Sequence, residues 1–187
     1  MRRMEDYFGL IRRLAEAFEN VRLDYAFTGA LASSFYGLPR TTTDVDLLVH
    51  VVERAGKSKL VSALESAGLI VEVEKLDKAL LSGYNIATFP DRKSSYSVDV
   101  IFSCRKLLKR AGTIGEVRAF FQAPEELILA KLRMIKTTLS EKKVMKDKED
   151  VRAILRFADV NIRALRRKAK RDNTLAVLQA LMADEKE

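Results

Sequence analysis

The chain has 187 residues, and 48% of them are hydrophobic, which is enough to pack one domain with a small helical appendage. Cys104 is the only cysteine and His50 the only histidine. These counts exclude a disulfide framework and a cysteine-rich zinc site, and they disfavour histidine-based metal ligation. The first residues lack the apolar core of a signal peptide, and no apolar run reaches membrane-spanning length. We therefore expect a soluble, cytoplasmic protein with no membrane partner.

The net charge of +8 is concentrated in one segment of the chain. Residues 131–171 contain 15 Lys and Arg against five Asp and Glu, whereas residues 1–130 contain 18 and 17. Such a basic segment can bind an anionic partner, and RNA or DNA is the obvious candidate. It can equally be a solvated, charge-rich surface of the kind that thermophilic proteins accumulate.

Helical and strand periodicities alternate through the first two thirds of the chain. We predict helices over residues 4–20, 30–36, 57–67 and 76–81, and strands over 23–27, 44–52, 69–73, 84–89, 96–102 and 117–122. We expect strands 84–89 and 96–102 to pair in antiparallel fashion around a polar loop. Further on, we predict a helix from Pro124, a solvated turn over 141–151, and helices over 151–158, 162–171 and 174–182. The pattern indicates an α/β (α+β) fold, with a small mixed sheet in residues 1–122 and a helical region, 123–187, packed on it.

Two acids interrupt the otherwise apolar strand that begins at Asp44. Successive side chains of a strand point to opposite faces, so Asp44 and Asp46 project from the same face. Neighbouring carboxylates repel each other and lose hydration at a cost, which a divalent cation between them would offset. Magnesium suits such oxygen ligands, because it is usually held by one or two carboxylates together with substrate phosphates. A solvated acid pair on an edge strand is the alternative.

Small residues stand where the strand before this acid pair turns into a helix. Thr28, Gly29 and Ala30 would let a phosphate chain approach backbone N–H groups at a helix N-terminus. A phosphate-binding turn followed by a metal-binding acid pair outlines a phosphoryl- or nucleotidyl-transfer site.

These residues resemble the signature of the polymerase-β-like nucleotidyltransferase superfamily. That signature is an apolar residue, Gly and then Gly or Ser, a spacer, and Asp-apolar-Asp/Glu-apolar; here it is Thr28-Gly29-Ala30, thirteen residues, and Asp44-Val45-Asp46-Leu47. Thr28 is only partly apolar, and Ala30 replaces the second Gly or Ser. Residues 36–41, 123–132 and 146–151 further resemble the small members, in particular the abortive-infection toxin-type members. The resemblance spans residues 22–158, and it implies that residues 1–122 form a nucleotidyltransferase core.

The resemblance implies roles for individual residues. A third carboxylate on a neighbouring strand would be Asp99, which could ligate one metal ion and accept the proton of the attacking hydroxyl. An edge-strand acid facing water is the alternative for Asp99. Nucleotide binding would involve Thr28, Gly29, Ala30, Arg40 and Lys131; a surface lysine that buries its stem is the alternative for Lys131. Asp147 and Asp150 could orient Lys131 or a substrate group.

The implied activity is a magnesium-dependent transfer of a nucleoside monophosphate from a nucleoside triphosphate to an acceptor, with pyrophosphate leaving. Two magnesium ions would be held by Asp44, Asp46 and Asp99. The toxin-type resemblance and the basic segment favour an RNA end such as that of tRNA, and a protein or small-molecule acceptor stays open. A non-catalytic nucleotide- or RNA-binding module is the alternative. In either case the chain could be one half of a toxin–antitoxin pair with a cognate antitoxin.

Overall fold

We describe a computed structural model of the chain, covering residues 2–37, 39, 42–51, 54–81 and 85–183. The helices within these ranges are α1 (Arg2–Val21), α2 (Gly29–Tyr36), α3 (Arg54–Ser66), α4 (Val73–Leu81), α5 (Pro124–Thr137), α6 (Glu141–Phe157), α7 (Ile162–Arg171) and α8 (Leu175–Ala183). The strands are β1 (Asp24–Phe27), β2 (Asp44–His50), β3 (Ile86–Pro90), β4 (Ser97–Ser103), β5 (Lys109–Ile114) and β6 (Val117–Gln122). Among the described residues, no helix combines the length and apolar character needed to cross a membrane.

The strands form one mixed sheet in the order β3-β4-β2-β1-β6-β5. β2 and β4 run parallel, as do β1 and β6, and the other neighbouring pairs are antiparallel. One face of β2 is fully buried, because Val45, Leu47 and Val49 alternate with the acids and with half-buried residues. The predicted α+β class with a small mixed sheet is therefore confirmed.

The chain divides into two compact units. The first, Met1–Leu31 with Thr41–Gln122, contains the sheet, and in it α1 packs on α3 and β6. Arg13 of α1 fixes this unit by donating from Nε to the Ala67 carbonyl (2.8 Å) and from Nη2 to the buried Asp91 carboxylate (2.7 Å). The second unit, Ala32–Arg40 with Ala123–Glu187, contains α5 to α8. In it α5 packs on α6 and α7, and α8 also packs on α6 and α7.

Most predicted elements are present, and two predictions about local structure are wrong. Residues 69–73 form no strand: Leu69 makes a single bridge to Asp91, and α4 begins at Val73 with an acid in its first turn, where the helix dipole favours it. The charged stretch 141–151 is not a turn but most of α6. Lys and Glu are good helix formers, so a dense charge run does not by itself interrupt a helix.

Strand β5 was not predicted, because its sequence, KRAGTI, carries too few apolar residues to show strand periodicity. It lies at the edge of the sheet and pairs only with β6. An edge strand is held mainly by backbone hydrogen bonds on one side, and charged residues such as Lys109 and Arg110 are common there. Tyr84, at the start of the predicted strand 84–89, lies outside the described residues.

Candidate active site

The three predicted acids lie on one face of two neighbouring strands. β2 and β4 run parallel, and in their register Asp46 is the direct partner of Asp99 and Asp44 is the partner of Ser97. Strands in a sheet are spaced about 4.8 Å apart, so Asp46 and Asp99 stand side by side, with Asp44 one step along the same face. Asp44 is exposed, and the other two acids are half-buried. The tertiary structure therefore brings together acids that are more than fifty residues apart in the sequence.

Hydroxyl groups orient two of these carboxylates. Ser97 donates to Asp44 Oδ1 (2.9 Å) and Thr43 to Asp44 Oδ2 (3.0 Å). Thr88, the β3 partner of Asp99 in the antiparallel register, donates to Asp99 Oδ1 (2.6 Å). Within the described part of the chain, no Lys or Arg forms an ion pair with Asp44 or Asp99. Neither carboxylate therefore has a cationic side-chain partner among the described residues.

The roles of Ser97 and Thr88 were not predicted from the sequence. Ser97 stands two positions before Asp99, so strand alternation placed it on the same face, and that signal was available. Thr88 lies beside Asp99 because of the register in which β3 pairs with β4. The sequence of the loop between these strands does not determine that register.

Gly29, at the start of α2, lies directly against the Asp46 carboxylate. Its φ is +56°, a left-handed conformation, and a Cβ placed on it would lie 1.9 Å from Asp46 Oδ2. The preceding Thr28 N–H donates to the Asp46 carbonyl (3.0 Å), which fixes the turn to β2. Glycine is required here both for its backbone conformation and for the close approach of the acid. The small-residue turn and the acid pair, separate in the sequence, thus form one site.

The other predicted nucleotide-binding residues of this turn are placed differently. Thr28 is 6% exposed, and its hydroxyl donates to the side chain of Gln122, while Ala30 is 4% exposed. Both side chains are buried, so any contribution of these two residues to phosphate binding would come from the backbone. Arg40 lies outside the described residues, so its role stays a prediction.

The acids fit a hard divalent cation by ligand type. They supply carboxylate oxygens from one face, and two of them lack a cationic partner among the described residues, as magnesium sites require. In the described ranges, no three Asp, Glu, His or Cys side chains lie close enough together to form a metal-binding group as they are oriented here. Ser97 and Thr88 orient two of these carboxylates by hydrogen bonds, and each carboxylate has further lone pairs with which it can ligate a metal ion.

Lys131 belongs to the second unit, where it is buried and has two acidic partners. Its Nζ lies 2.9 Å from Asp147 Oδ1 and 2.6 Å from Asp150 Oδ2. The two acids are three residues apart in α6 and so share one face of that helix. Both therefore orient Lys131, which was one of the two roles considered for them. Nucleotide binding by Lys131 stays a prediction.

Comparisons with known proteins bear on the fold. No family profile matches the sequence, and a comparison with curated protein sequences gives no significant match. The structure is similar to an antigenic nucleotidyltransferase-like protein from Paracoccidioides brasiliensis, with a TM-score of 0.59 and 18% identity over 80% of this chain and 76% of that one. It is also similar to the solution structure of the antibiotic-resistance factor ANT(2'')-Ia, with a TM-score of 0.60 and 12% identity over 97% of this chain and 95% of that one.

These similarities identify the class of fold. The chain has a nucleotidyltransferase fold, so the predicted resemblance to that superfamily is confirmed at the level of architecture. Identities this low show the fold alone. The toxin-type subgroup, a cognate antitoxin and the cytoplasmic location stay predictions.

Proposed function

We propose that the protein is a magnesium-dependent nucleotidyltransferase. The observation that carries the proposal is the register of β2 and β4, which sets Asp46 beside Asp99 with Asp44 on the same face. The contact between Gly29 and Asp46 supports it, because it joins the acids to the start of a helix, where backbone N–H groups favour phosphate. The fold and the site thus agree on one reaction class.

The reaction would use this chain's residues in defined roles. Magnesium, when bound by Asp44, Asp46 and Asp99, would neutralise charge on the triphosphate and on the phosphoryl group in transfer. The α2 N-terminus at Gly29 and Ala30 would bind phosphate oxygens through backbone N–H groups. Thr88 occupies Asp99 Oδ1, so Asp99 Oδ2 would accept the proton of the acceptor hydroxyl. The acceptor oxygen then bonds to the α-phosphorus, and the bond from that phosphorus to the pyrophosphate oxygen breaks.

We propose an RNA end as the acceptor. The support is the charge of residues 131–171, which contain 15 basic and five acidic residues. RNA is a polyanion, so a segment with this excess of positive charge can bind it. A protein or small-molecule acceptor would not require such a basic segment. The nucleoside triphosphate that serves as donor is left for experiment.

The test is a transfer assay with each α-labelled nucleoside triphosphate, magnesium, and either total cellular RNA or the protein itself as acceptor. We expect label to move onto RNA with stoichiometric pyrophosphate release, and we expect the Asp46→Asn variant to do neither. Asp77→Asn is the matched control, because Asp77 is a surface acid of the same unit, paired with Lys57 away from the site. Nucleotide binding without label transfer or pyrophosphate release would instead assign the protein as a binding module.

A further inference from the structure

We infer that one face of α7 is an RNA-binding surface that reads the phosphate backbone. This inference rests on the proposed function, because it names the part of the chain that holds the RNA acceptor. The surface, called here the basic face, consists of Arg163, Arg166, Arg167, Lys170 and Arg171.

The five cations of the basic face point in one direction. All five are exposed. At 3.6 residues per turn they lie within an arc of about 140° and extend over about 12 Å of helix. None of them forms an ion pair with any residue in the described ranges. The basic face is therefore a continuous positive strip.

The opposite side of α7 is used to anchor the helix within its own unit. Leu165 and Ala169 are fully buried, and Lys168, the sixth basic residue of the helix, pairs with Glu126 of α5. Glu125 accepts a hydrogen bond from the Asn161 N–H (2.7 Å) at the start of α7, and Arg133 pairs with Asp172 at its end. The helix is therefore held on α5 at both ends, and the nearby carboxylates are already occupied.

The basic face has an energetic cost in the free protein. Like charges three or four residues apart on a helix destabilise it by about 0.2–0.5 kcal/mol per pair, and Arg163 and Arg166, Arg163 and Arg167, and Arg167 and Lys170 are such pairs. The helix dipole disfavours Arg163 in the first turn, although it favours Lys170 and Arg171 in the last turn. A bound polyanion would remove both costs.

The residue types distinguish phosphate binding from general solubility. Four of the five cations are arginine, whose planar guanidinium binds phosphate through two hydrogen bonds, whereas lysine would serve equally well for solubility. The basic face carries no aromatic residue, so it offers no stacking platform for bases. Binding should therefore depend strongly on salt and only weakly on RNA sequence.

An anionic membrane is a poorer match to the same surface. A helix that binds membranes inserts an apolar face beside its basic one. In α7 the apolar residues Leu165 and Ala169 are fully buried inside the second unit, and Ile162 and Ala164 are half-buried, so the helix presents no broad exposed apolar face.

The experiment is a titration of the full chain with a fluorescein-labelled RNA hairpin of about 20 base pairs, without nucleotide, at salt concentrations from about 50 to 200 mM. The test variant is Arg163→Gln/Arg167→Gln/Lys170→Gln. We expect it to bind the hairpin at least about tenfold more weakly at low salt and to reduce the slope of log K against log salt by about 3. Its thermal unfolding temperature should equal or slightly exceed that of the wild type, because the variant removes only exposed side chains and relieves repulsion between like charges.

The matched control removes the same charge from another helix of the same unit. Lys142→Gln/Lys143→Gln/Lys146→Gln neutralises three exposed lysines of α6 and should change affinity by less than about threefold. Equal losses in the two variants, or no loss in the α7 variant, would overturn the inference. Tighter binding to phosphatidylserine vesicles than to RNA at equal phosphate would overturn it as well.

The outcome is separable from that of the proposed function. Asp46→Asn should keep full affinity for the hairpin while losing transfer, because it leaves the basic face unchanged. Wild-type protein that releases pyrophosphate but does not bind the hairpin would retain the transferase and reject the basic face as its RNA site.

Discussion

Asp46 on β2 and Asp99 on β4 are direct partners in the register of two parallel strands, although 53 residues separate them in the sequence. Gly29 touches the first of these acids, and Thr88 donates to the second. The acids, the helix start and the orienting hydroxyl thus come from four different elements. Each of these contacts leads to a prediction that can be tested with a small set of variants.

Removing the charge of Asp99 should abolish transfer, whereas removing its hydrogen-bond donor should only slow transfer. We expect Asp99→Asn to lower the transfer rate at least about a hundredfold, because the site loses both a ligand and its proton acceptor. Thr88→Val should lower kcat about tenfold, since the hydroxyl only orients Asp99. Steady-state kinetics of pyrophosphate release provides the measurement.

Thr88→Ser is the control for this series. It retains a hydroxyl at the same position and should restore most of kcat. A Thr88→Val variant as active as the wild type would show that this hydrogen bond does not orient the carboxylate during catalysis.

A methyl group at Gly29 should displace the Asp46 carboxylate. We expect Gly29→Ala to lower the free energy of unfolding by about 1–3 kcal/mol and to reduce transfer below detection, because the new Cβ would overlap Asp46 Oδ2. Urea denaturation and the transfer assay measure the two effects.

Gly115→Ala separates backbone strain from the clash. Gly115 has a similar φ of +60°, but a Cβ on it meets nothing within 4 Å. It should therefore lose comparable stability while transfer stays normal. Equal activity in the two alanine variants would contradict the placement of Asp46 against Gly29.

Lys131 should contribute strongly to the stability of the second unit. Its ammonium group lies between Asp147 and Asp150, and its side chain is 7% exposed. Lys131→Met would remove the cation that both carboxylates contact, and we expect a loss of about 3 kcal/mol in the free energy of unfolding. Chemical denaturation measures it.

Two comparisons test the cause of that loss. Lys142→Met, at an exposed position of α6, should change stability by less than about 0.5 kcal/mol. Adding Asp150→Asn to Lys131→Met should restore part of the stability, because it removes one of the two carboxylates that Lys131 contacts. If the double variant is less stable than the single one, the loss of stability in Lys131→Met does not come from these carboxylates.

Asp24 on β1 should contribute to the fall in the free energy of unfolding at acidic pH. Burial raises its pKa, but the Lys109 side chain and the Leu107 N–H, which both donate to the carboxylate, outweigh that effect and hold the pKa below its usual 3.8. The folded state therefore binds this proton less readily than the unfolded state does. The resulting stabilisation is complete above the unfolded-state pKa and is lost as pH falls through the lower folded-state pKa.

The measurement is the difference in unfolding free energy between wild type and Asp24→Asn as a function of pH. We expect a constant difference above about pH 5 that shrinks as the pH falls below about 4. A difference that grows on acidification would contradict the sign of the pKa shift.

The sequence by itself determined the class of fold and the position of Asp44 and Asp46 on one face of a strand. Apolar periodicity is a local property, so it located α1, β2, α5, α7 and α8. Strand alternation likewise placed Asp44 and Asp46 on one face. The small residues around Gly29 indicated a tight turn in the sequence. They did not indicate that Gly29 contacts Asp46.

Only the tertiary structure decided which residues meet. The pairing of Asp46 with Asp99, of Thr88 with Asp99 and of Lys131 with Asp147 depends on strand register and helix packing, which are set by contacts distant in sequence. The edge strand β5 and the charged part of helix α6 could not be predicted from the sequence for the same reason. The partner strand β6 stabilises β5. In α6 the charged residues are good helix formers, two of its acids contact the buried Lys131, and its buried apolar residues Val151 and Ile154 follow the charged stretch.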